Sequence, residues 1–141
     1  MKRAKELKED ATKLFAAQDF GRAAELYTEA LKQASNMPNR TTDYQVEVPA
    51  VRLKLYLNLA TCYLKLEDWQ QVISSCLGAE ELDPTSPKAL YLRGYALFEM
   101  GDAASAKTAL LRAKENAPSD KQVAKMLKKA AARQTRQNYK R

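Results

Sequence analysis

Leu55–Gly94, LYLNLATCYLKLEDWQQVISSCLGAEELDPTSPKALYLRG, contains one complete helix–turn–helix unit and the beginning of another. Moving the frame Ala60, Tyr63, Ala79 and Pro84 on by 34 residues lands on Gly94, Leu97, Ala113 and Pro118, and Val72 lands on Ala106. Small residues recur where two helices must cross closely, large ones where they interlock, and a proline closes each second helix. The repeating unit is therefore a helix pair of 34 residues, which buries its apolar face by stacking on its neighbours.

The same register reappears upstream with an offset. AKELKEDATKLFAAQ places Leu7, Ala11 and Leu14 on one helix face, and FGRAAELYTEALKQAS places Ala23, Leu26, Tyr27, Ala30 and Leu31 on the face of its partner. Asp19-Phe20-Gly21 is expected to make the turn between them. Ala11, Ala23 and Ala30 lie 49 residues before Ala60, Val72 and Ala79, so 15 extra residues, about Pro38–Arg52, separate the first unit from the second. This insert opens as a loop, NMPNRTTD, by its Pro, Asn and Asp content. It continues as YQVEVPAVRLKLYLNLA, whose second half extends the following helix. Proline is tolerated in a first turn and not deep inside a helix, so that helix is expected to start near Val48 or Pro49, or to kink there.

Further on, Glu67-Asp68-Trp69 and Gly101-Asp102 read as turns within units. Thr85 or Ser86 is placed to cap the third unit, with Pro87 at the first helical position. Ser119 is expected to cap a seventh helix, whose Val123, Met126, Leu127, Ala130 and Ala131 recur at helical spacing and cover the open end of the third unit. Past Arg133 little remains to bury, and that end is expected to project or fray.

This pattern resembles the tetratricopeptide (TPR) repeat. The resemblance implies an all-α fold of seven helices: three TPR helix–turn–helix units, about 4–37, 53–86 and 87–120, stacked in a right-handed superhelix with a concave groove. Residues 1–120 then form the repeat domain, with the insert at 38–52, and residues 121–141 a basic C-terminal capping helix.

Composition narrows the function classes. With 45% hydrophobic and 29% charged residues the chain reads as one globular domain, neither disordered nor fibrous. No apolar run approaches the roughly 20 residues that span a bilayer, and the charged MKRAKELKED is no signal peptide or anchor, so a cytoplasmic or nuclear protein is expected. Cys62 and Cys76 fall at packing positions and the chain has no His, which points to buried reduced thiols and to no metal or other cofactor. Asn39-Arg40-Thr41 matches a glycosylation sequon, read as a chance match in a loop.

The net charge of +7 is unevenly placed: residues 121–141 carry eight of the 24 Lys and Arg and none of the 17 Asp and Glu, leaving the first 120 residues at −1. One short basic run without interleaved aromatics does not indicate nucleic acid as a partner. KQVAKMLKKAAARQTRQNYKR has a composition shared by capping helices with a solvated basic face, by calmodulin targets and by membrane-surface helices. Its apolar face fades to Ala after Leu127, which favours the cap, and no membrane partner is expected. With no His, no Gly-rich phosphate loop and no paired acids, the chain offers no catalytic site, and its activity is expected to be binding.

LNLATCYLKLEDWQQVISSC, LDPTSPKALY and the ending NYKR, with the long insert and the basic last helix, resemble the C-terminal part of the large immunophilins, of the FK506-binding-protein and cyclophilin-40 types. That resemblance implies a co-chaperone whose TPR groove binds the C-terminus of Hsp90, or less often Hsp70, ending in Glu-Glu-Val-Asp. It also implies a prolyl isomerase domain N-terminal to these repeats and outside this chain, and it lends weight to calmodulin as a partner of the last helix.

In that family a carboxylate clamp of five positions holds the peptide. The first helix supplies a Lys and, four residues on, an Asn; here these are Lys8 and Thr12. The third helix supplies an Asn, here Asn58, and the fifth a Lys and, four residues on, an Arg; here these are Lys88 and Leu92. Lys8, Asn58 and Lys88 match, Thr12 keeps a hydroxyl, and Leu92 has no donor. Arg93 is adjacent, but one helical residue turns the side chain by about 100°. Two readings stay open: an incomplete clamp that still takes chaperone tails, and a TPR scaffold or self-associating module that has lost its clamp and moved to a non-chaperone partner.

Overall fold

The computed structural model describes residues 2–35 and 42–139, with 42–47 described by backbone alone. Seven helices follow one another among them: α1 (Lys2–Ala16), α2 (Phe20–Ser35), α3 (Thr42–Lys65), α4 (Trp69–Leu82), α5 (Pro87–Glu99), α6 (Ala103–Asn116) and α7 (Lys121–Tyr139). Each packs on the next, and α3 also touches α5, so the first helices of the second and third pairs lie side by side. Residues 36–41, with most of the expected loop and the sequon, lie outside the described residues, while Thr42 and Asp43 are helical.

Within each pair the turn is built the same way. Gln18, Glu67 and Gly101 take positive φ of 64°, 58° and 90°, at the same 49- and 34-residue offsets as the repeat itself. The next residues, Asp19, Asp68 and Asp102, send their backbone N–H to Leu14, Tyr63 and Leu97 O at 3.0 Å or less. Their carboxylates then accept from Arg22, Gln71 and Ser105 N, capping α2, α4 and α6. The first turn is thus Ala17-Gln18-Asp19, two residues earlier than Asp19-Phe20-Gly21, because the capping Asp already starts the next helix at Phe20.

The small residues do what their register requires. Ala11, Ala60 and Gly94, then Ala23, Val72 and Ala106, then Ala30, Ala79 and Ala113, are all buried. At Gly94 an added Cβ would come within 2.6 Å of the buried Leu110 side chain, so the α5–α6 crossing needs glycine. Ser86 Oγ accepts from Ala89 N and caps α5, with Pro87 first in the helix, whereas Thr85 bonds Asp83 instead.

Three further expectations are corrected. α3 does not begin at Val48 or Pro49 but runs from Thr42 through Pro49. Proline costs that helix one backbone bond; Val48, packed with Ala4 and Ala34, offsets it by docking the extension onto the first pair. Nor does α7 end its contacts at Arg133. Arg133 donates to Phe98 O at 3.1 Å and lies 3.7 Å over the Phe98 ring, and Gln137 donates to Gly101 O. The cap of α7 is Asp120, which accepts from Gln122 and Val123 N, rather than Ser119. Val123, Met126 and Ala130 are buried against the last pair. No helix is long and apolar enough to cross a membrane among the described residues.

Candidate functional site

Lys8 and Thr12 sit one turn apart on α1 and share a face, Asn58 sits on α3, and Lys88 stands in the first turn of α5 where the Ser86 cap fixes the chain. Between these helices lies a cavity of about 200 Å³ lined by Thr12, Phe15, Tyr27, Asn58, Thr61 and Lys88. Residues from three helix pairs therefore converge on one small space. Lys8 lines an adjoining cavity of about 850 Å³ with Lys5, Glu9, Thr12, Lys13, Ala50, Val51 and Lys54. Thr12 borders both, making them one groove along α1, α3 and the start of α5.

The donors in this groove differ in what they have left to give. Thr12 Oγ donates to Lys8 O at 2.8 Å and is paired with the Tyr27 hydroxyl at 2.9 Å. A hydroxyl has one proton, so while Thr12 spends it on Lys8 O it accepts from Tyr27, and neither points a proton into the cavity. A ligand oxygen gains a donor here only by taking the Tyr27 proton. Burial pushes the Tyr27 hydroxyl above its ordinary pKa, so it stays a donor at neutral pH. The Thr61 hydroxyl is spent on Leu57 O. Asn58 and the ammonium groups of Lys8 and Lys88 have no hydrogen bond or ion pair among the described residues. Among the described residues that line the two cavities, Lys5, Lys8, Lys13, Lys54 and Lys88 are basic and Glu9 is acidic, so the described lining is mostly cationic and suited to an anion.

Leu92 and Arg93 do not join this set. Leu92 is 4% exposed and packs with Ala60, Val72, Cys76 and Ala96. Arg93 makes a two-pronged pair with Glu80 on α4, Nε–Oε2 at 2.7 Å and Nη2–Oε1 at 3.0 Å, with the side chains only 19% and 11% exposed. Its charge is committed to holding α5 on α4.

Sequence reasoning missed Phe15, Tyr27 and Thr61 as cavity walls, and Lys5, Lys13 and Lys54 as groove cations. Lys54 precedes Asn58 by one turn, a signal that was present in the spacing. Tyr27 gave none, because a tyrosine on an apolar helix face reads simply as core. The thiols are inert: burial pushes Cys62 up to about 11 and Cys76 up to about 12, so both stay protonated at neutral pH. On the far end, Lys125, Lys128, Lys129, Arg133 and Arg136 of α7 line a separate basic cavity of about 560 Å³ beside Phe98.

Residues 87–120, covering α5 and α6, match the model of the tetratricopeptide repeat. The peptidyl-prolyl cis-trans isomerase FKBP42 of Arabidopsis thaliana is 30% identical over 126 residues, 88% of this chain and 34% of FKBP42. The chain thus spans about a third of that relative's length. The C-terminal TPR-containing domain of a Plasmodium falciparum FK506-binding protein superposes with a TM-score of 0.88 at 23% identity, over 99% of this chain and 93% of that domain. The myosin chaperone UNC-45 of C. elegans, solved in complex with a Hsp90 peptide, superposes with a TM-score of 0.79 at 30% identity, over 96% of this chain and 14% of UNC-45.

Proposed function

As this chain is a tetratricopeptide-repeat domain, we propose that its groove binds the acidic C-terminal peptide of Hsp90 or Hsp70 and serves a co-chaperone. The observation that carries this reading is the convergence of Thr12, Asn58 and Lys88 on one cavity, with Lys8 one turn away on the same face. A chain terminus ending in Asp presents two carboxylates close together. Two ammonium groups and a free carboxamide without internal partners suit that pair of anions. The likeness to a TPR protein solved with a Hsp90 peptide supports the same reading.

The clamp is incomplete. Leu92 supplies no donor and Arg93 is held by Glu80, so one charge-assisted bond is missing. That absence weakens binding by about 1.5–3 kcal/mol, roughly ten- to hundredfold, against a clamp that has the arginine. The second reading, a TPR scaffold with a non-chaperone partner, draws on the same two residues. The prolyl isomerase domain implied by the immunophilin resemblance belongs to the parent protein outside this chain. We assign α7 the role of cap: Val123, Met126 and Ala130, which a calmodulin complex would need, are already buried against α5 and α6.

Titration of a tail peptide into a Lys8→Ala, Lys88→Ala double variant separates the two readings. The co-chaperone reading expects at least a tenfold loss of affinity with the fold intact by circular dichroism. Unchanged affinity would sink it.

A further inference from the structure

Carried on from Ala60 and Gly94, which are buried where helices cross, the 34-residue register falls on Lys128 of α7. A lysine is too long for so close a crossing, and Lys128 is exposed. Lys125, Lys128, Lys129, Ala132, Arg133 and Arg136 follow at i, i+3, i+4, i+7, i+8 and i+11, so they share one face of α7. With Phe98 from the end of α5 they line the cavity of about 560 Å³, and no carboxylate is among its described lining residues. Arg133 is fixed there: Nη1 donates to Phe98 O at 3.1 Å, and the guanidinium carbon lies 3.7 Å from the centre of the Phe98 ring. One turn further on, Gln137 donates to Gly101 O, which holds this half of α7 in place. Arg133 Nε and Nη2 have no partner among the described residues, so one edge of its fork, with two parallel N–H donors, is left over. Lys125, Lys128, Lys129 and Arg136 likewise make no hydrogen bond or ion pair among those residues.

We infer that this cavity binds a compact, soluble anion that carries several phosphate groups. Three lysines and two arginines around one small space call for concentrated negative charge, of which a single carboxylate supplies little. The free edge of Arg133 matches two oxygens of one phosphate, and the lysines reach neighbouring phosphates as flexible point charges. Because Phe98 and Gly101 already hold α7, little further ordering is needed on binding. Other ligand classes fit less well. A nucleobase needs an aromatic face to stack on, and that of Phe98 is taken by Arg133. A bilayer or a docking helix needs bulky apolar anchors, whereas Val123 and Met126 are buried and Ala132 is the other apolar residue of the described lining. The site shares no described lining residue with the cavities at Lys8, Asn58 and Lys88, so it does not depend on the binding of a peptide tail.

The test is calorimetric titration of the whole chain with inorganic tripolyphosphate at about 150 mM salt, where loose surface attraction is screened. Saturable binding at one site is expected. A Lys125→Gln, Lys129→Gln variant should weaken it about tenfold or more. A Lys107→Gln, Lys114→Gln variant, which removes the same charge from α6 outside the described lining, should weaken it less than about threefold. Arg133→Lys keeps the charge but loses the fork, and should weaken it about fivefold with an unchanged circular dichroism spectrum. Equal weakening by the two double variants would reduce the effect to net charge and overturn the site. So would the absence of saturable binding, or binding to vesicles of anionic lipid without binding to tripolyphosphate.

Discussion

Leu92 stands where the proposed clamp would need an arginine. It lies with Val72 and Cys76 in the contact between the second and third helix pairs, and so acts through packing. Leu92→Ala should cost about 2–5 kcal/mol in urea unfolding, with tail affinity of the folded domain unchanged. Arg93→Ala strips Glu80 of its partner in a mostly buried pair and should cost about 2–3 kcal/mol by the same measurement. Sequence spacing showed that position 92 lacks a donor. It did not show the use of Arg93, because Glu80 is 13 residues away on another helix and the pairing depends on the crossing of α4 and α5.

Cys76 makes a third prediction at this scale. Desolvation, then Glu80, raises its pKa from 9.0 to about 12, with Arg93 pulling the other way, and desolvation raises Cys62 to about 11. The unfolded thiols begin to ionise near 9 while the folded ones keep their protons, so the folded state binds more protons above that pH. Stability is therefore full below about pH 9 and falls from there toward pH 11–12. Urea unfolding at pH 8 and pH 10.5 should show the drop, and Cys76→Ala should make it smaller.

At the level of elements, the turns are the repeat's most regular feature. Gly101 adopts positive φ without cost, while Gln18 and Glu67 hold the same conformation with a side chain attached. The left-handed region costs such residues about 1 kcal/mol, so Glu67→Gly should raise thermal stability by about that much. Gly101→Ala should lower it by a similar amount, and Gly94→Ala, which meets Leu110, by about 1–3 kcal/mol.

Helix pairing and small-residue crossings were legible because a 34-residue period repeats the same packing demand. The start of α3 was not. Pro49 forbids a helix interior by local rules, and only the docking of Val48 on Ala4 and Ala34, from two other helices, overrides them. Asp120 displaced Ser119 as the cap of α7 by one residue, a shift that spacing alone does not fix.

On the whole-molecule scale, lysines line the α1–α3 groove at one end and lysines and arginines line the α7 cavity at the other, among the described residues. Lys8, Asn58 and Lys88 were named through the family resemblance, and the structure sets Asn58 and Lys88 at one cavity and Lys8 at the adjoining one. Lys13 and Lys54 join them only through stacking, which brings α1 and the extended α3 to one wall. The central claim is that this groove recognises a chain terminus, and calorimetric titration with Met-Glu-Glu-Val-Asp beside its C-terminally amidated form tests it. The account predicts micromolar binding of the free acid, lost on amidation. No binding of either peptide, or equal binding of both, would contradict it.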